Sequence, residues 1–148
     1  MDNIESIEVD DTELDTLLGT GGTGVLSFAA EEDESPYAVP VSYGYDATER
    51  NFYFRLATDD DSPERSLGKK AVTFVTYNQD EGVWWSVVAQ GVLEPVDERT
   101  GDTDILAGLE SVDIPYVDIF GQPLHEVGFD FYRLVPVELS GRKEQQRL

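Results

Sequence analysis

Six short runs rich in valine, phenylalanine, tyrosine and tryptophan constrain this chain more than any other feature: Gly24 to Ala30, Tyr37 to Tyr45, Asn51 to Ala57, Ala71 to Tyr77, Val83 to Val96 and Phe129 to Leu139. Such runs, bounded by turn signals like Asp46-Ala47-Thr48-Glu49 and Asn78-Gln79-Asp80-Glu81-Gly82, read as β-strands. In two of them the side chains alternate: Phe52, Phe54 and Leu56 oppose Tyr53, Arg55 and Ala57, and Val72 and Phe74 oppose Thr73 and Val75. That period of two predicts half-buried antiparallel strands. The few residues between the fourth and fifth runs predict a hairpin. Six strands joined this way leave exposed sheet edges unless the sheet closes on itself or pairs with a partner, so a small barrel is expected.

The 148 residues fit a single domain spanning the whole chain, 1–148. Helical punctuation is short. Asp10 to Glu13, followed by Leu14, Leu17, Leu18 and Gly19, predicts a capped helix closed by glycine. Further helices are expected at Ser62 to Lys70 and around Asp97 to Glu110, and the tail Arg142 to Leu148 reads as frayed or dimer-bound.

Charge excludes several functions. With 31 acids against 10 bases the net charge is −21, a field that repels nucleic acid and anionic lipid alike. The acids gather in expected turns and helices and avoid the apolar runs, which makes charge a surface property. Only three lysines accompany seven arginines. This acidic surface with little lysine resembles that of halophilic, salt-adapted proteins, because at molar salt the screening length falls to roughly 3 Å and self-repulsion fades. An acidic interaction surface is the competing explanation. Without cysteine the chain has no disulfide, thiol nucleophile or thiolate metal site, and one histidine makes zinc unexpected. The acidic N-terminus lacks the apolar run of a signal peptide, and no stretch approaches 18 apolar residues, so the expected location is cytoplasmic.

Three segments stand out as places for chemistry. Pro40 interrupts an otherwise good strand, Tyr37 to Tyr45, and proline cannot donate to a ladder. The position must be an edge, a bulge or a break: either a guard against edge-to-edge aggregation or a place where main-chain polar groups turn toward a ligand. Second, four of the ten bases, Arg55, Arg65, Lys69 and Lys70, fall within sixteen residues. Ser62 as N-cap and Pro63 as first helical residue would place a helix start beside Arg65, where free N–H groups and a guanidinium favour a phosphate. The acids Asp59, Asp60 and Asp61 fit equally well a salt-bridged surface helix. Third, the adjacent Trp84 and Trp85 must point to opposite faces of one strand. One can enter the core, while the other needs a flat cofactor or a partner subunit.

Taken in order, these segments resemble the FMN-binding split-barrel family that includes pyridoxamine 5′-phosphate oxidase. The likeness runs from about Gly24 to Arg142. It rests on Pro36 to Tyr43, matching Pro-Tyr-x-Val-Pro-Val-Ser-Tyr; on Asn51 to Arg55; on Arg65-Ser66-Leu67 before Ala71 to Phe74; on Trp84 to Gly91; and on Tyr132-Arg133-Leu134 with Pro136 and Ser140 to Arg142. The resemblance implies a six-stranded antiparallel split β-barrel, mainly β with a few short helices. It implies that Val39, Pro40, Val41 and Ser42 line the isoalloxazine through main-chain groups, with Arg55 and Leu56 beside the ribityl chain. Ser62 and Arg65 would hold the phosphate, assisted by Lys69 or Lys70, and Trp85, Ser86 and Val87 would complete the pocket. In this family the flavin sits between two subunits, so a homodimer is implied.

The implied function is that of an FMN flavoprotein, an oxidoreductase of unassigned substrate, with no catalytic side chain singled out. A deazaflavin-dependent reductase of the same fold and a non-enzymatic flavin carrier or interaction module are the alternatives. Many relatives carry Lys where Arg65 stands and His where Arg55 stands; anion binding survives the exchange, but a catalytic use of that His does not transfer. His125 reads as a surface or dimer-rim residue.

Overall fold

The computed structural model describes residues 4–58, 70–96 and 128–146. In chain order the elements are β1 (Ile4–Glu8), α1 (Asp11–Leu18), β2 (Gly21–Phe28), β3 (Tyr37–Asp46), β4 (Asn51–Thr58), β5 (Lys70–Asp80), β6 (Val83–Val96) and β7 (Gly128–Gln146). All neighbours pair antiparallel in the order β1-β7-β4-β3-β2-β5-β6, and a further β6–β7 ladder closes the sheet. Strands β2 to β7 therefore form the expected six-stranded barrel. Closure removes the free edges that the hairpin pattern would otherwise expose.

β1 is an addition that the alternation did not reveal. It pairs with β7 from Glu8↔Arg142 to Ile4↔Gln146, beyond the reach of β4. The tail read as frayed or dimer-bound is thus strand-paired through Gln146, and the last strand runs well past Leu139. The expected first strand likewise starts earlier, at Gly21. Of the two further helices expected, all but one residue lies outside the described residues; that residue, Lys70, opens β5.

Because β2 to β7 alternate in direction, the barrel has two poles. One holds the ends of β2, β4 and β6 and the starts of β3, β5 and β7; the other holds the reverse. Helix α1 covers the second. Asp10 caps it, its carboxylate accepting from the Glu13 N–H at 2.8 Å, and Gly19, at φ 60°, ends it. The apolar edge of the helix enters the core through Leu14 and Leu18, both essentially inaccessible.

Inside, Phe74 is the hub, its ring 5.0 Å from Phe54, 5.1 Å from Tyr43 and 5.3 Å from Phe52 in tilted or edge-on contacts. Each such buried ring contributes roughly 1.5–3 kcal/mol by apolar burial. Gly24 is required there: a Cβ would lie 2.5 Å from the Val75 carbonyl oxygen and 2.7 Å from the Phe74 ring. On β5 the alternation is as expected, with Val72 and Phe74 in the core; on β4 Phe52, Phe54 and Leu56 enter the core, but Tyr53 on the opposite face is buried as well, at 1% exposure, so this strand is not half-buried. Among the described residues no helix is long and apolar enough to cross a membrane.

Candidate functional site

At the pole opposite α1 two neighbouring strands of the described residues part company. β3 and β4 pair only from Asp46↔Asn51 to Tyr43↔Phe54. Beyond that point β4 continues against β7, Arg55↔Phe131 to Thr58↔Gly128, whereas Tyr37 to Ser42 of β3 keeps a described partner on one side only, β2. A strand edge with no ladder partner holds main-chain donors and acceptors ready for something else. Pro40 lies within this edge, opposite Val25 of β2. A residue without an N–H fits an edge that faces away from the ladder.

Side-chain direction sorts the residues expected to bind a cofactor. Val41 and Leu56 point into the barrel core, with Val39 packed against it, so these three offer a ligand little beyond main-chain atoms. Pro40 and Ser42 lie on the other face, Pro40 exposed and Ser42 nearly buried. Arg55 is half-buried on the face of β4 away from Phe54 and Leu56, and Lys70 is exposed at the start of β5, at the same pole. Ser62, Arg65 and Lys69 lie outside the described residues, as does His125.

Trp85, Ser86 and Val87 lie elsewhere. They belong to the first half of β6, where Trp85 pairs with Asn78 and Lys143 and Ser86 with Tyr77 and Arg142. This is the α1 pole, so one chain does not bring them to the open β3 edge. Val87 is fully buried in the core. Trp85 and Ser86 instead border a groove of about 340 Å³ shared with Ser6, Tyr77, Trp84 and Arg142. Arg142 is oriented there by β1, donating to the Ser6 hydroxyl at 2.9 Å and to the Ser6 carbonyl at 3.1 Å. Neither Tyr77 nor Arg142 was among the residues expected to line a site, although Arg142 belongs to the closing motif of the family resemblance. Counting back from the Glu81-Gly82 turn would have placed Tyr77 opposite Ser86, but the position of Arg142 depends on the long-range β6–β7 register.

Around α1 the polar groups are paired. The Tyr45 hydroxyl donates to Asp15 at 2.7 Å and the Tyr43 hydroxyl to the Leu18 carbonyl at 3.1 Å. Arg50 bridges Asp15 at 3.2 Å and Asp11 at 3.4 Å, and Lys143 pairs with Glu13. Burial pushes the Tyr43 and Tyr45 phenols above their ordinary range. At Tyr45 the Asp15 carboxylate adds to the shift, whereas at Tyr43 the bond with Thr76 opposes it.

A closed antiparallel barrel in which two adjacent strands separate at one pole defines the split-barrel class of proteins. Within that class, the chain belongs to the pyridoxamine 5′-phosphate oxidase family, whose sequence pattern it matches over residues 10–143. No curated protein matches the sequence. Several solved structures share the fold. A putative pyridoxamine 5′-phosphate oxidase from Corynebacterium glutamicum superposes with a TM-score of 0.70 at 23% identity, covering 100% of this chain and 98% of that one. The FAD-binding protein of Mycobacterium smegmatis gives 0.67 at 20% identity, over 96% and 99% of the two chains. An FAD-binding protein from Mesorhizobium loti gives 0.65 at 20% identity, over 97% and 99%.

Proposed function

We propose that this chain is a homodimeric flavoprotein that holds FMN against the open edge of β3 and acts as an oxidoreductase on a small molecule not yet assigned. The observation that carries the reading is the split between β3 and β4, beyond which Val39 to Ser42 have, among the described residues, a ladder partner only in β2. Their main-chain groups suit the polar rim of a flat heteroaromatic ring, and Arg55 and Lys70 at the same pole supply positive charge to a chain that is otherwise strongly anionic. The donor set therefore fits an anionic flavin. FAD-binding proteins of the same fold support a flavin in general; the choice of FMN rests on the family resemblance, in which Ser62 and Arg65 would hold its phosphate.

When bound, the flavin supplies hydride or electron transfer, while the chain binds it, orients it and sets the charge around it. Trp85 and Ser86 reach the same ring from the second subunit, because within one chain they stand at the far pole.

An absorbance spectrum of the purified protein, followed by titration of FMN, FAD and a deazaflavin, tests the reading. FMN is expected to bind most tightly. A protein that carries no flavin absorbance and takes up none of the three ends the proposal, while preference for FAD or the deazaflavin replaces the cofactor. Arg65→Ala is expected to weaken FMN far more than riboflavin; equal losses would remove the phosphate role.

A further inference from the structure

Near the α1 pole one row of side chains runs across four strands. Tyr77 of β5 pairs with Ser86 of β6, Ser86 with Arg142 of β7, and Arg142 with Glu8 of β1. Directly paired residues share a face of the sheet, so the register sets the Ser86 hydroxyl between a phenol ring and a guanidinium. Trp84 stands beside Tyr77 with the two rings 6.3 Å apart, and the groove of about 340 Å³ lies among these side chains.

Arg142 is held in an unusual way for a base of this chain. Arg50, Arg133 and Lys143 each meet a carboxylate. Arg142 meets Ser6 instead: its Nε donates to the hydroxyl at 2.9 Å and its Nη2 to the carbonyl at 3.1 Å, and among the described residues it has no carboxylate partner. Ser6 thus fixes one edge of the guanidinium and leaves both Nη1 donors for a ligand. A charge kept unneutralised stands out in a chain with 31 acids and 10 bases. The arrangement also belongs to this chain rather than to the family pattern, because β1 ends at Glu8 and the pattern begins at residue 10.

We infer that Arg142 is the cation beside the flavin ring, and that β1, through Ser6, positions it there. The inference rests on the proposed shared site, in which Ser86 reaches the ring held at the β3 edge of the other copy. A ring within reach of that hydroxyl meets Arg142, the neighbour of Ser86 in the row. Two-electron reduction adds negative charge to the ring, and a guanidinium oriented in advance needs no reorganisation when that charge appears. Arg142 therefore favours the reduced flavin over the oxidised one. Its role is distinct from that expected of Arg65, which is to hold the phosphate.

Midpoint potentials of the flavin-loaded full chain, with FMN and riboflavin titrations, test the inference. Arg142→Gln removes the charge and is expected to weaken reduced FMN about tenfold more than oxidised FMN, the strength of one hydrogen bond to a charged group. For a two-electron couple that ratio lowers the potential by about 30 mV. FMN and riboflavin should lose affinity alike. Arg142→Lys keeps the charge and is expected to recover most of the potential. Ser6→Ala should move the potential in the same direction by a smaller amount, with thermal stability unchanged, and it carries the test if Arg142→Gln fails to fold or to hold flavin. An unchanged potential in Arg142→Gln, or a loss confined to FMN, overturns the role of Arg142. A potential moved by Arg142→Gln but not by Ser6→Ala overturns that of β1. A wild type that takes up no flavin ends the shared-site reading and this inference together, whereas a flavin-binding wild type whose potential none of these substitutions moves overturns this inference alone.

Discussion

The two poles of the barrel are built from the same six strands and end differently. At the α1 pole β2 and β5 separate beyond Val25↔Val75, but the helix ties the end together: β1 extends the sheet along β7, Leu14 and Leu18 enter the core, and the Tyr45 and Tyr43 hydroxyls, Arg50 and Lys143 link the helix to the strands. At the other pole β3 and β4 separate beyond Tyr43↔Phe54, and among the described residues Val39 to Ser42 pair with β2 alone. The anchoring of α1 is thus concentrated at one pole.

The sharpest way to break this contrast is to attack the closed pole. Leu18→Ala removes a side chain that is 1% exposed and anchored between α1 and the core. It is expected to cost about 2–5 kcal/mol, the usual range for a leucine cavity. Thermal or urea unfolding measures it. A cost below about 1 kcal/mol would mean that the helix is not part of the cooperative core and that the poles do not differ in the way the packing indicates.

Tyr45→Phe comes next. It keeps the ring against Phe52, at 4.9 Å between centroids, and deletes the hydroxyl that donates to Asp15. A loss of about 1 kcal/mol is expected for one such bond. Its pH dependence sharpens the test. The folded-state pKa of Tyr45 lies above the ordinary value of 10.0, so the folded protein holds this proton more tightly than the unfolded chain does. The associated stability is therefore complete below pH 10 and drains away as the pH rises above it. Tyr43 is shifted in the same direction and loses stability over the same range. Tyr45→Phe should consequently flatten the alkaline part of the stability curve without abolishing its slope. An unchanged alkaline slope would show that Tyr45 is not one of the groups responsible.

Much of this arrangement was legible in the sequence, and the exceptions have physical causes. β4 and β5 follow from alternation, because one face of each is buried in the core. Helix α1 follows from its cap and its terminal glycine. β1 escaped because Ile4 to Glu8 is short and carries the acids Glu5 and Glu8, and it becomes a strand only by pairing with Arg142 to Gln146, a segment that is itself polar. Each half looked unstructured without the other. The open edge was foreshadowed by Pro40, but nothing local could show that β4 turns from β3 to β7 after Phe54. Nor could sequence order show that Trp85 and Ser86 lie at the opposite pole from Pro40, since that depends on the direction in which β6 runs through the closed barrel. The bulge at Val137 was equally hidden, being a mismatch of register between two strands far apart in the chain.

The smallest expected effect belongs to the open pole. Pro40→Ala restores an N–H and frees the backbone at an exposed position of a strand that, among the described residues, pairs there with β2 alone. If that edge is open, the new amide has no native acceptor to find, and the change acts through the unfolded chain, which gains conformational freedom. The expected loss is about 0.5 kcal/mol. Hydrogen exchange sharpens the reading further, because the amide of residue 40 in the variant should exchange quickly, while the core amides of β2 and β5 remain protected. A loss above about 2 kcal/mol, or a residue-40 amide as slow to exchange as those of the core, would show that Pro40 is packed within a covered strand. The two poles would then be alike where the contrast requires them to differ.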